Sequence, residues 1–141
     1  GIDVSKATLD VAVRPTGEAW QVANEGVAIG ALVERLVALT PGLVVLEATG
    51  GYEHAVVAAL ATAGVPVVVA NPRQVRDFGR AIGQLAKTDR IDAMLLAHFG
   101  ERVQPVPRPL RAAAAEELSA LVARHAGDDV KKHLRFAKFR F

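Results

Sequence analysis

A chain of 141 residues is long enough for one domain that buries roughly two-thirds of its unfolded surface, and short for two. It is 51% hydrophobic but has only five Phe, one Trp and one Tyr, so its core must come from Ala, Val and Leu, as in helices packed on a buried sheet. The absence of cysteine excludes disulfides and thiolate metal sites and fits a reducing cytoplasm, while a formal charge of +2 is too small to announce a nucleic-acid binder by itself.

The chain opens at Gly1 without Met or a basic leader, which reads as a piece of a longer protein with no secretory signal. Three bursts of β-formers follow: Ile2 to Val4, Leu9 to Val13, and Trp20 to Val22. Pro15-Thr16-Gly17 makes the last two an antiparallel hairpin, and a first turn near Lys6 and Ala7 completes a three-strand meander. The period then changes. Ile29, Leu32, Val33, Leu36 and Val37 mark one helix face that Pro41-Gly42 ends. Leu43 to Leu46 is a continuous apolar run of the kind buried on both faces. Tyr52, Val56, Leu60 and Ala63 predict a second helix stopped by Gly64, and Val67 to Val69 another buried strand. Two helices are expected at Pro72 to Leu85 and Thr88 to Phe99. The prolines at 105, 107 and 109 form a stiff connector, and an Ala-rich helix runs from about Leu110 to Arg124. No apolar run approaches the roughly 18 residues of a membrane span.

This order predicts an α/β fold: a mixed five-stranded sheet, antiparallel meander first and α/β units after, flanked by helices and followed by a C-terminal extending helix. The expected division is a catalytic domain over 1–103, a proline-rich connector over 104–109, and a helical extension over 110–141.

Four carboxylates draw the functional reading. Asp3 interrupts an apolar first strand, and Glu47 ends a buried run at the carboxyl end of a strand, where open α/β sheets place their ligands. Asp89 and Asp92 stand at i and i+3 in KTDRIDA, on one face of a helix. Singly each has a bland explanation: a strand-edge acid, a strand exit, or a pair complementing a helix N-terminus capped by Thr88. Together, their order along the inferred fold converges on one end of the sheet. Four ionised carboxylates crowd together only with cations, and two Mg²⁺ or Mn²⁺ ions about 4 Å apart answer that need while serving phosphoryl transfer.

Basic residues gather nearby in sequence. Arg73, Arg76, Arg80, Lys87 and Arg90 lead into the acidic helix, and Lys6 follows Asp3, so these six are candidate nucleic-acid contacts. A solvated helix face explains any one of the arginines equally well. His54 and His98, lacking a partner at i+4, read as surface or packing residues, and Tyr52 as helix-start packing.

The segments GIDVSKATLDVAV, LVVLEATGGYE, NPRQVRDFGRAIGQLAKTDRIDA and LLAHFGERVQP strongly resemble the N-terminal DEDD domain of transposases of insertion-sequence family one-ten. Their relatives include Piv-type DNA invertases, and their catalytic half looks like the Holliday-junction resolvases, with a ribonuclease-H-like fold. The resemblance covers about residues 1 to 124. It places the family's acids on Asp3, Glu47, Asp89 and Asp92, and implies an RNA-guided DNA recombinase whose structured guide RNA pairs with donor and target DNA. It also implies a further C-terminal transposase domain with a serine nucleophile, acting beside the DEDD acids of a neighbouring protomer in a homo-oligomer. Ser5 and Ser119, the only serines here, match no such nucleophile, and HAGDDVKKHLRFAKFRF departs from the family pattern. The expected protein is therefore a metal-dependent transposase domain that is not fully active alone.

Rival readings are a Holliday-junction resolvase or other DEDD nuclease, and an inactive nucleic-acid-binding or dimerisation module with vestigial acids. A sugar-kinase-type ATPase would need a Gly-rich first turn where Ser5-Lys6-Ala7-Thr8 stands. A proofreading-type exonuclease would carry two acids one residue apart where Asp3-Val4-Ser5 has one.

Overall fold

The computed structural model describes residues 1–84 and 89–107, with residues 89–91 described by backbone alone. The strands are β1 (Ile2–Val4), β2 (Thr8–Ala12), β3 (Ala19–Ala23), β4 (Val44–Glu47) and β5 (Val67–Ala70). The helices are α1 (Gly26–Leu39), α2 (His54–Thr62), α3 (Pro72–Ala81) and α4 (Asp89–Val103). The sheet runs in the order β3-β2-β1-β4-β5. β1, β2 and β3 pair antiparallel, and β4 lies parallel to both β1 and β5. The expected mixed five-stranded α/β sheet is the observed one.

Strand alternation divides the molecule. Ile2, Val4, Leu9, Val11, Val44 and Leu46 turn to one face and pack with Ile29, Leu32 and Leu36 of α1 and Val56, Val57 and Leu60 of α2. Val45 turns the other way, into a smaller cluster with Ala70, Val75, Leu96 and Phe99. On that second face α4 packs across β1, β2 and β4. Two glycines permit the close approach. A Cβ on Gly1 would collide with the Ala93 carbonyl oxygen, and one on Gly100 would stand 2.7 Å from Val45 Cγ2.

The structure corrects the sequence reading at several ends. Val67 to Val69 is an apolar run, yet β5 is the edge strand of the sheet and Val69 is 42% exposed. Apolar continuity therefore marks a parallel strand here without burying both of its faces. α3 stops at Ala81 rather than reaching Leu85, because Gly83 takes φ +76 and the N–H of Gln84 turns back to the Gly79 carbonyl. α4 continues past Phe99 to Val103, because Gly100 is a packing residue against Val45 and not a stop. α1 ends as expected before Pro41-Gly42, with Thr40 in the left-handed conformation. The Ala-rich helix of 110–124 and the tail after it lie outside the described residues.

Candidate active site

β1 and β4 register Ile2 against Leu46, so the next step along the parallel pair sets Asp3 abreast of Glu47. Alternation puts both on the face that carries Val45 and α4. Both are half-buried, at the carboxyl ends of neighbouring central strands. The same row extends across the sheet: Asp3 pairs with Asp10, Asp10 with Gln21, and Glu47 with Ala70. Asp10 escaped the sequence reading. Its signal was present, since in Leu9-Asp10-Val11 the acid alternates out of an apolar strand just as Asp3 does in Ile2-Asp3-Val4. Gln21 holds it, with Nε2 donating to both carboxylate oxygens at 3.0 and 3.2 Å.

α4 packs across β1, β2 and β4 on the same face. Ala93–Ala97 lie on Gly1, Gly100 reaches Leu43 as well as Val45, and Glu101 pairs with Arg14 just past β2, so the C-terminal part of the helix lies at the amino ends of β1 and β4. Toward its N-terminus the helix continues from Ala93, which lies on Gly1, through Asp92 to Asp89. The side chain of Asp89 lies outside the described residues, and Asp92 is half-buried. Among the described residues no group of three or more His, Asp or Glu side chains is arranged to hold a metal ion. The donor set nevertheless suits a hard divalent cation: carboxylate oxygens from adjacent strands on one face, with no thiolate in the chain.

The loops beyond the two acid-bearing strands are built by hydrogen bonds. In the β1–β2 turn, Ser5 Oγ accepts from the Thr8 N–H at 2.9 Å and the Ser5 N–H donates to the Thr8 carbonyl at 2.9 Å, leaving Lys6 exposed at the tip. After β4, Glu53 is buried yet fully engaged. Its Oε2 accepts from Thr49 Oγ1 at 2.6 Å, the Gly51 N–H at 3.0 Å and the Thr49 N–H at 3.2 Å. Burial alone pushes the Glu53 carboxyl up, but these bonds, with one from its own backbone, together hold it below its ordinary value. Gly50 and Gly51, at φ +80 and +127, let the loop fold around that carboxylate. Glu53 is thus a structural acid that the sequence reading did not single out.

Chain similarity agrees with this fold. The family model of the DEDD transposase domain of IS110 insertion sequences matches residues 1–135. The chain belongs to the IS110 transposase family. A comparison with curated proteins finds no significant match. In this transposase domain the sheet order and mixed pairing are those of a ribonuclease-H-like DEDD fold.

The basic candidates are placed unevenly. Arg73, Arg76 and Arg80 are exposed on α3, spaced so that they share one face. Arg80 also pairs with Asp77 at 3.5 Å. α3 starts directly after Ala70, the register partner of Glu47, and Asn71 Oδ1 caps it by accepting from the Arg73 N–H at 2.9 Å. Arg73 therefore stands within a turn of the acid end of the sheet. Lys87 and the side chain of Arg90 lie outside the described residues. His98 packs edge-on against Phe78, and burial, aided by the charges of Arg14 and Arg102, keeps its imidazole below the ordinary value against an opposing Glu101. His54 is exposed. Tyr52, read from sequence as packing, is half exposed, because its loop is held through its backbone instead. Among the described residues no helix is long and apolar enough to cross a membrane.

Proposed function

We propose that this DEDD transposase domain holds divalent metal, two Mg²⁺ or Mn²⁺ ions, on Asp3, Glu47, Asp89 and Asp92, and uses it for DNA strand cleavage and transfer during transposition. The observation that carries the reading is the register that sets Asp3 and Glu47 side by side on the α4 face. Metal bound there would neutralise the acids and stabilise charge on the attacking and leaving oxygens of a phosphodiester. The chain's own contribution is positioning. The strands fix two carboxylates, α4 presents two more from its first turn, and Arg73, Arg76, Arg80, Lys87, Arg90 and Lys6 bind nucleic-acid phosphates around them.

We further infer, as the resemblance implies, a structured guide RNA that selects the DNA partners, action as a homo-oligomer, and a serine-bearing C-terminal transposase domain that forms the covalent protein–DNA link. Residues 1–103 form the catalytic domain in this reading, 104–109 the connector, and 110–141 the approach to that further domain.

Thermal unfolding with and without Mn²⁺ tests the metal claim. The wild-type chain should gain stability that grows with Mn²⁺ concentration, and Asp3→Asn and Asp92→Asn should lose that gain. An equal gain in all three proteins would reject the site and favour a nucleic-acid-binding module with vestigial acids. For the arginines, replacing Arg73, Arg76 and Arg80 by Ala should flatten the salt dependence of DNA or RNA binding, by about one unit of slope for each phosphate no longer neutralised.

A further inference from the structure

The strand ladder fixes Asp3 and Glu47 only up to the strand ends. β1 stops at Val4 and β4 at Glu47. Beyond those residues the two chains separate into the β1–β2 turn and the 48–53 loop, and the sheet no longer sets the distance between them. The Asn24 side chain crosses that gap. Asn24, half-buried one residue past the end of β3, donates from Nδ2 to the Ser5 carbonyl at 2.9 Å and to the Tyr52 carbonyl at 3.1 Å. Its backbone N–H donates to the Ala7 carbonyl at 2.9 Å. Both side-chain partners are carbonyl oxygens, so only the amide nitrogen can face them and the orientation of the Asn24 amide follows from chemistry.

Each loop so joined is internally stiff. The β1–β2 turn is closed by Ser5 and Thr8, and the 48–53 loop is folded around the Glu53 carboxylate. A bond between two stiff loops transmits position, whereas a bond between floppy ones would not. Ser5 is two residues from Asp3, and the loop that Tyr52 belongs to begins directly after Glu47.

We propose that Asn24 is a positioning residue: its amide locks the turn after β1 to the loop after β4 and thereby holds in place the loop ends beside Asp3 and Glu47, whose backbone spacing the strand pairing sets. This rests on the metal-holding role of those acids given above. Asn24 itself touches neither metal nor substrate. It does for the pair what outer-shell hydrogen bonds do for metal ligands elsewhere, where their loss costs about 10–100-fold in affinity.

The test uses the full chain and two readouts. Mn²⁺ affinity, measured by calorimetry well below the melting temperature, should weaken about 10–100-fold in Asn24→Ala. It should weaken similarly in Asn24→Asp, which keeps the shape but cannot donate. Leu36→Ala, which opens the core on the opposite face, should lose stability and keep its Mn²⁺ affinity. Amide hydrogen exchange without metal supplies the second readout: Asn24→Ala should speed exchange at Ser5 and Thr8 and also at Thr49 and Gly51. Unchanged Mn²⁺ affinity in both Asn24 variants, or faster exchange in one loop without the other, would overturn the proposal. Should the wild type bind no Mn²⁺ through Asp3, the metal reading falls, and the paired exchange response alone decides whether Asn24 joins the loops.

Discussion

The two faces of the sheet are built for different ends. Among the described residues, the strands under α1 and α2 offer only apolar side chains, and thirteen buried hydrophobic residues form one cluster. Under α3 and α4 the cluster has five buried members among the described residues, and the row Gln21, Asp10, Asp3, Glu47 crosses the sheet beside it. The first face carries the stability of the domain and the second accepts like charges close together. Substitutions on one face should therefore be read in folding free energy, and those on the other in ligand response.

The sharpest way to break that division is a deletion in the larger core. Leu46 is fully buried, and Leu46→Ala should cost about 2–5 kcal/mol in urea unfolding. A cost under about 1 kcal/mol would mean that the α1/α2 face does not carry the stability assigned to it. On the α4 face, Gly100→Ala forces a methyl against buried Val45 and should cost about 1–3 kcal/mol. A neutral result would show that α4 can lift from the sheet freely, and the placement of Asp92 would then lose its support.

Most of the architecture was legible in the sequence because period carries it. Alternation in Ile2 to Val4 and Leu9 to Val13, the helical spacing of Ile29 to Val37 and the apolar run ending at Leu46 each report the face they bury. The misreadings came where period is silent. Nothing in Val67-Val68-Val69 says that no strand lies beyond it, and nothing in Phe99-Gly100 separates a helix stop from a helix that must approach a strand closely. At the site, Asp3 and Glu47 were visible as acids in apolar strands. Asp10 was visible in the same way, in Leu9-Asp10-Val11. Glu53 and Asn24 could not be found by pattern, since their roles lie in bonds to backbone atoms of loops.

Glu53 sharpens the comparison through pH. Its folded-state carboxyl sits below the ordinary 4.5, so it contributes stability above that value, and the contribution is lost as pH falls from 4.5 through the lower folded value. Glu53→Gln, which cannot ionise, should cost about 1–3 kcal/mol near neutrality and should show a shallower fall in stability below pH 4.5 than the wild type. Parallel acid profiles for the two proteins would remove Glu53 from the account of the loop.

The smallest expected effect is also the most discriminating between the faces. Asp10 stands opposite Asp3, and Asp10→Asn relieves a like-charge pair while keeping an oxygen for Gln21. Its stability without metal should rise by no more than about 1 kcal/mol, and the difference should shrink as Mn²⁺ is added. A clear loss of stability would move Asp10 from the charged row into the structural core.

The proposed metal centre lies at one end of the α4 face, on Asp3, Glu47 and the first turn of α4. Crystals of the full chain soaked in Mn²⁺ and measured for anomalous scattering test it most directly. The account predicts anomalous peaks bridging the Asp3 and Glu47 carboxylates and reaching Asp89 and Asp92. Ordered carboxylates with no peak between them at millimolar Mn²⁺, or peaks only at other acids, would contradict it.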